Sequence, residues 1–299
     1  MVSLHDALTA TIVSIGVVLL LPTAYLVCLA LAALMPRRVE ERRRSGRRVA
    51  VIVPAHDEEE LVARAVRSLL CQHYPAELLR VIVVADNCTD ATASVAGGAG
   101  AEVWERHDQR ALGKGHALRW AIDRLLGEPN APDAVVVVDA DSVAARDLVA
   151  ALVWEQDAGA DAVQAEYLVL PENDSARSRL VAAGFLLFHR VRLGGRRRLG
   201  LPAALVGNGM LFTRSLLERH PWDSFTGVED LEYTIRLRLA GVRPRFAPRA
   251  LVWGPMPGTY TAMSGQRARW EGGRFHAVRR WQRKPRAAIN RSTTSNRSG

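Results

Sequence analysis

The chain has 299 residues, 48% hydrophobic and 24% charged, with a formal net charge of +9. That composition excludes disordered and collagen-like chains and suffices for one large domain or two small ones with a sizeable core. The positive charge sits at the ends, with seven Arg against Glu40 and Glu41 over residues 37–48 and ten Lys or Arg against Glu271 over 266–299. The body between is mildly acidic, so a nucleic-acid partner is not expected, whereas basic ends suit an anionic membrane surface.

Residues 7–35 contain no charged side chain. The run exceeds the roughly 20 residues that cross a bilayer, and Pro22 is tolerable within a membrane helix. A cleaved signal would want a basic start, but the start carries no titratable side chain besides His5 and Asp6. The Arg-rich stretch 36–48 that follows predicts a cytoplasmic C-terminal side, hence a single-pass protein of the inner (plasma) membrane. Cys28, Cys71 and Cys88 show no metal spacing and no disulfide framework, as expected of reduced thiols.

From residue 49 onward, strands and helices alternate. Val49–Val53 is an apolar run ending at Pro54, and Leu61, Val62, Ala65, Val66, Leu69 and Leu70 repeat at helical spacing. Val81–Ala85 predicts a second strand, after which Thr89 could cap a short helix. Ala101–Trp104 is a weaker third strand, and Ala117, Leu118, Ala121, Ile122, Leu125 and Leu126 form a helical stripe. Ala134–Val138 is a fully apolar strand, Leu148–Val153 a helix and Ala162–Leu170 a further strand. This β-α alternation predicts a mostly parallel sheet covered on both faces. Residues 178–200 fit either a buried helix or one lying at a membrane interface. Leu231, Ile235 and Leu239 mark a last helix ending at Gly241, and the final dozen residues are polar.

Ligands of open α/β sheets bind beyond the carboxyl ends of the strands. Three strands deliver acids there: His56-Asp57-Glu58-Glu59 after the first, Asp86 and Asp90 after the second, and Asp139-Ala140-Asp141 after Val135–Val138. Converging carboxylates repel unless a cation sits between them, and hard oxygen ligands favour Mg²⁺ or Mn²⁺. Asp139 and Asp141 are the candidate metal ligands, with Asp139 also facing a nucleotide. Gly113-Lys114-Gly115 lacks the full phosphate-loop pattern, so Lys114 is either a phosphate contact or an exposed loop lysine. Glu229-Asp230 opens the last helix, where the dipole favours negative charge and simple capping competes with a chemical role. Gln266-Arg267-Ala268-Arg269-Trp270 joins a guanidinium suited to phosphate with an aromatic face suited to a sugar, against the alternative of a basic surface helix.

Together V-A-V-I-V-P-A-H-D-E-E (49–59), A-D-N-C-T-D (85–90), G-K-G-H-A-L (113–118), D-A-D-S (139–142), G-N-G-M (207–210), V-E-D (228–230) and Q-R-A-R-W (266–270) resemble the family-2 glycosyltransferases. The resemblance is greatest to the membrane-bound group of cellulose, chitin and hyaluronan synthases. It implies an α/β fold of the GT-A type, a Rossmann-like, mostly parallel sheet, over 49–275, behind a transmembrane helix at 7–35 and a basic linker at 36–48. A basic tail follows at 276–299. It implies an inverting transfer from a nucleotide-diphospho-sugar, a UDP-sugar above all, to a saccharide or lipid-linked acceptor in glycan synthesis. By the same likeness Asp86 contacts the nucleoside and Asp139 and Asp141 hold nucleotide and metal. Lys114 and Arg269 offset charge on the leaving diphosphate. Asp230 is the base with Glu229 beside it, Gly207 and Asn208 lie beneath the acceptor, and Gln266 and Trp270 complete the acceptor side.

The synthases continue into further membrane helices that form a polymer channel, whereas residues 271–299 contain no long apolar run. This chain cannot build that channel alone, which leaves open a truncated chain, a channel-forming membrane partner, or the addition of single sugars. Two rival readings are a phosphatase using Asp139 as nucleophile and a membrane-tethered remnant that binds without turnover. The phosphatase motif belongs on the first strand of its domain and here follows about three others. The remnant reading sits poorly with a complete set of chemical residues.

Overall fold

The computed structural model describes residues 4–35, 45–170, 176–255 and 271–273. Most of the basic linker, the tail 276–299 and the segment holding Gln266, Arg269 and Trp270 lie outside the described residues.

The sheet has eight strands in the order β3-β2-β1-β4-β7-β6-β8-β5. Four parallel strands form one half: β1 (Val49–Ala55), β2 (Leu79–Asp86), β3 (Glu102–Arg106) and β4 (Ala134–Val137). β7 (Met210–Thr213) then enters antiparallel to both β4 and β6 (Ala162–Val169). β8 (Arg245–Gly254) runs parallel to β6 and carries the two-residue β5 (Val143–Ala144) antiparallel at the edge. The sheet is thus mixed and mostly parallel. β7, β8 and β5 were not anticipated: β7 and β5 are too short to show alternation, and β8 is broken up by Pro248 and two arginines.

Alternation along β1 explains the two-sided core. Val49, Val51 and Val53 enter one apolar cluster with Val62, Val66 and Leu69 of α2 (Val62–Leu70) and Leu148, Leu152 and Val153 of α5 (Leu148–Asp157). Ala50 and Ile52 enter the other, with Leu118, Ile122 and Leu125 of α4 (Lys114–Leu126) and Tyr233 and Leu237 of α9 (Glu229–Leu239). Each fully buried aliphatic side chain of this kind contributes about 1.5–3 kcal/mol.

Two local expectations are corrected. Thr89 does not cap α3 (Thr92–Gly98), whose N-cap position is Ala91. Its backbone N–H, 2.7 Å from Asp57 Oδ1, instead ties the β2 loop to the β1 loop. The core face of α9 is not Leu231, Ile235 and Leu239: Tyr233, Thr234 and Leu237 are buried and Leu239 is 50% exposed. Three apolar residues at spacing four misled because the true face carries a tyrosine and a threonine.

α1 (Leu4–Ala33) is continuous through Pro22 and, among the described residues, is the one helix long and apolar enough to cross a membrane. Most of its described side chains are exposed: Val18 is 68% exposed and Leu21 71%. Its last turns differ, with Leu29 and Ala32 buried against α7 (Arg192–Arg198). That crossing needs Gly195, where a Cβ would lie 2.1 Å from the Leu29 carbonyl oxygen. The stretch 178–200 is not an ordinary buried helix. α6 (Ala176–Leu186) passes through a π turn (Leu187–Val191) into α7; Leu180 and Phe188 are exposed, and exposed Leu187 lies beside the end of α1.

Candidate active site

The carboxyl ends of β1, β2 and β4 open onto one cleft of about 810 Å³, lined among others by Glu58, Asp86, Lys114, Asp139 and Asp141. Parallel pairing makes this inevitable, since each strand presents the loop after its last residue to the same edge.

Lys114 is the hub. It is the first residue of α4, after Gly113 at φ +101°, and Gly115 lets the helix start abut the loop before α9. A Cβ at Gly115 would lie 2.2 Å from the Ser224 carbonyl oxygen. So held, the ammonium is hydrogen-bonded to Asp139, donates to the Gly207 carbonyl at 2.8 Å and lies 3.8 Å from Glu229 Oε1. Burial alone would lower its pKa, but Asp139 and Glu229 outweigh that and hold it above the ordinary lysine range. Lys114 is therefore a paired lysine inside the cleft, not an exposed loop side chain.

Asp230 sits in the first turn of α9, where its Oδ1 accepts from the Leu231 N–H at 2.7 Å. Gly207, at φ +83°, approaches it so closely that a Cβ there would lie 3.4 Å from Asp230 Oδ2. Burial, then the neighbouring Glu229, push the Asp230 carboxyl up to about 6. The helix terminus was expected to keep this group firmly ionised. Desolvation and like charge move its titration to just below neutrality, where the carboxyl is still mostly ionised at pH 7.

Asn208 is fully buried, so it does not line the cleft and acts from behind it. Its Oδ1 accepts from the Asp139 N–H at 3.2 Å, and its Nδ2 donates to Ser142 Oγ at 2.8 Å. Both ends of one amide thus clamp the Asp139–Ser142 turn onto β7. Ser142 Oγ in turn donates to Asp141 Oδ1 at 3.0 Å.

Asp86 lines the other end of the cleft in a nearly closed cluster. Its Oδ1 accepts from Arg106 Nη1 at 2.5 Å and from Asn87 Nδ2 at 3.0 Å. Asp57 and Asn87 both adopt φ 53°, a left-handed conformation that costs energy for non-glycine residues and clusters at ligand sites. Arg106 escaped sequence reading because it is one arginine among many, visible only once β3 lies beside β2. Tyr167 also escaped, because its place depends on β6 lying beside β8. Tyr167 lies beside Gly254, where a Cβ would lie 2.4 Å from its hydroxyl oxygen.

Whether these acids fit a divalent cation can be tested on their electrostatics. Burial, then Asp139, raise the Asp141 carboxyl, and burial, then Asp141 and Asp139, raise Glu58. Negative charge is in excess there although Lys114 already pairs with Asp139. Two hard carboxylates beside a cleft, with phosphate and water to complete the shell, suit Mg²⁺ or Mn²⁺. Among the described residues, Asp57, Cys88 and Asp90 also bring ligand-type atoms within 4.8 Å of one another. Their carboxylates are engaged within the two loops: Asp57 accepts from Thr89, and Asp90 from Thr92 and from the Glu59 N–H. Asp139 and Asp141 are engaged as well, by Lys114 and Ser142, and Asp57, Asp139 and Asp141 all line the cleft.

A parallel half-sheet with an acidic cleft at its carboxyl edge, continued by an antiparallel strand, defines a glycosyltransferase fold of the GT-A type. The chain belongs to the family described as Glycosyltransferase like family 2, whose model matches residues 46–273. It is 30% identical over 244 residues to "Probable glycosyltransferase YdaM" of Bacillus subtilis, covering 77% of this chain and 56% of that protein. It is 28% identical over 237 residues to a beta-monoglucosyldiacylglycerol synthase of Nostoc, covering 75% of this chain and 48% of the relative. The chain thus spans about half the length of these curated relatives. The fold matches that of mannosyltransferase PcManGT from Pyrobaculum calidifontis, solved in complex with GDP-Man and Mn²⁺, with a TM-score of 0.69. That likeness covers 88% of this chain and 72% of the other at 22% identity.

Proposed function

We propose that this chain transfers a sugar from a nucleotide-diphospho-sugar, a UDP-sugar first among candidates, to a saccharide or lipid-linked acceptor, with inversion at the anomeric carbon. The observation that carries the reading is Lys114, which gathers Asp139, Glu229 and the Gly207 carbonyl around one half-buried ammonium beside Asp230. A purely structural lysine has no need of that company at the mouth of a cleft.

Asp86, with Asn87 and Arg106 behind it, binds the nucleoside end. Asp139 and Asp141 hold Mg²⁺ or Mn²⁺, which when bound offsets charge on the leaving diphosphate. Lys114 supplies fixed positive charge at the same place. Asp230 accepts the proton of the acceptor hydroxyl as its oxygen attacks the anomeric carbon and the bond to diphosphate breaks. Attack from the side opposite the leaving group converts an α-linked donor into a β-linked product. Asn208 acts through the Asp139–Ser142 turn as a positioning residue. The proposal carries over Gln266, Arg269 and Trp270 to the diphosphate and acceptor side, and Glu229 as the neighbour that tunes Asp230. α1 anchors the enzyme in the plasma membrane with this cleft in the cytoplasm, where nucleotide sugars are made.

The deciding experiment presents membranes containing the full chain with a panel of UDP- and GDP-sugars, with and without chelator, and reads products by mass spectrometry and anomeric NMR. A β-linked product from one α-linked donor, lost on chelation, is expected. Retained anomeric configuration would reject the single displacement, and donor binding with no transfer to any acceptor would favour a binding remnant.

A further inference from the structure

A second cavity, of about 580 Å³, lies where α1 meets α5, the π turn, α7 and β8, and shares no lining residue with the transfer cleft. Its walls divide by chemistry. Ala33 and Leu34 from the end of α1 give it an apolar side, and four arginines, Arg190, Arg197, Arg198 and Arg249, give it a cationic one.

The carboxylates nearby do not match that charge. Glu155 pairs with Arg197 at 2.7 Å and lies 3.7 Å from Arg245, and Glu166 lies 3.6 Å from Arg190. Among the described residues Arg198 and Arg249 have no carboxylate partner, and Arg198 Nη2 is enclosed without a hydrogen-bond acceptor. A guanidinium cannot shed its proton, so an enclosed N–H of this kind calls for an acceptor, and the surplus of positive charge around it favours an anionic one. Two forked cations suit a phosphate.

The position selects among phosphates. The apolar wall is the last turn of the helix read above as the membrane anchor, and exposed Leu187 and Phe188 lie on the neighbouring turn. A basic pocket at the end of a membrane helix sits at headgroup depth, with room for an acyl chain along the helix. A free phosphate would leave that apolar wall uncovered. We propose that this cavity binds the phosphate headgroup of an anionic membrane phospholipid, which is not consumed in the reaction and which fastens α7 to the end of α1. The proposal rests on the reading of α1 as a membrane helix, but not on which side its end faces nor on the chemistry of the cleft.

The test uses the full chain in detergent, with native mass spectrometry reading bound phosphatidylglycerol against phosphatidylcholine, and UDP binding measured alongside. Preferential retention of phosphatidylglycerol is expected. The double substitution Arg198→Gln, Arg249→Gln should weaken it by about tenfold or more while leaving UDP affinity unchanged. The pair Arg214→Gln, Arg219→Gln removes equal charge elsewhere and should leave lipid retention intact. Equal losses in both pairs would overturn the site in favour of diffuse attraction. Displacement of the lipid by millimolar inorganic phosphate would also overturn it, as a soluble-anion site. Arg249→Gln alone, on an exposed side chain, keeps the test available if the double variant does not fold, and unchanged retention in it would count against the site. Loss of UDP binding by the unsubstituted chain would damage the cleft reading and leave the lipid result standing.

Discussion

Asp230 faces opposed demands: a base must be ionised, yet burial and Glu229 favour its neutral form. With its carboxyl raised to about 6, kcat/KM should climb with pH through that region and level off above it. Asp230→Asn should reduce transfer by roughly two to four orders of magnitude with donor affinity retained. The raised folded-state value means that this group favours the fold most at low pH, below its unfolded value, and less as pH rises through 6. Asp230→Asn should therefore melt higher than the native chain at pH 8, by about 1–3 kcal/mol, and show little difference at pH 4. Near-native turnover in that variant would remove Asp230 from the mechanism and make Glu229 the next candidate. Asp141→Asn should abolish the dependence of UDP affinity on Mn²⁺, measured by calorimetry with and without chelator. Unchanged affinity in both conditions would make the pair structural. The acids were legible in sequence because strand ends announce themselves, whereas their partners were not. Nothing local marks Arg106 as the mate of Asp86, since the pairing depends on β2 lying beside β3. Likewise nothing in Gly-Asn-Gly reveals that the amide turns inward to Ser142.

The elements read most clearly were those with continuous apolar character. β1, β2 and β4 are valine-rich because both faces of the sheet are covered, and α4 and α5 bury the residues that their periodicity marked, apart from a half-buried Leu126. β7 and β5 were unreadable because they are short and owe their existence to the neighbours they pair with. The helix–loop contact at Gly115 gives an element-scale test. Gly115→Ala has no room beside the Ser224 carbonyl and must push the loop before α9 away from α4, costing about 1–3 kcal/mol. Because that loop leads directly to Glu229 and Asp230, its activity should fall further than its lowered melting temperature explains. A drop in stability with undiminished kcat would show that the loop and the base are independent.

At the scale of the whole molecule, topology comes first. A reporter fused after Gly46 should behave as cytoplasmic, and a periplasmic signal there would separate the cleft from its proposed donors. The contact of Gly195 with Leu29 means that α1 is more than a tether, because the last turns of the helix are built into the fold through α7. On the proposed reading of α1 as a membrane anchor, the cleft would stand at a set distance and angle from the bilayer, and the molecule would act as a gauge. Acceptors would be sorted by how far their reactive hydroxyl projects from the membrane plane. Gly195→Leu should pry α1 from α7 and broaden the range of acceptor lengths used, whereas four residues inserted after Ser45 should change that range little. The opposite pattern would place the gauge in the linker.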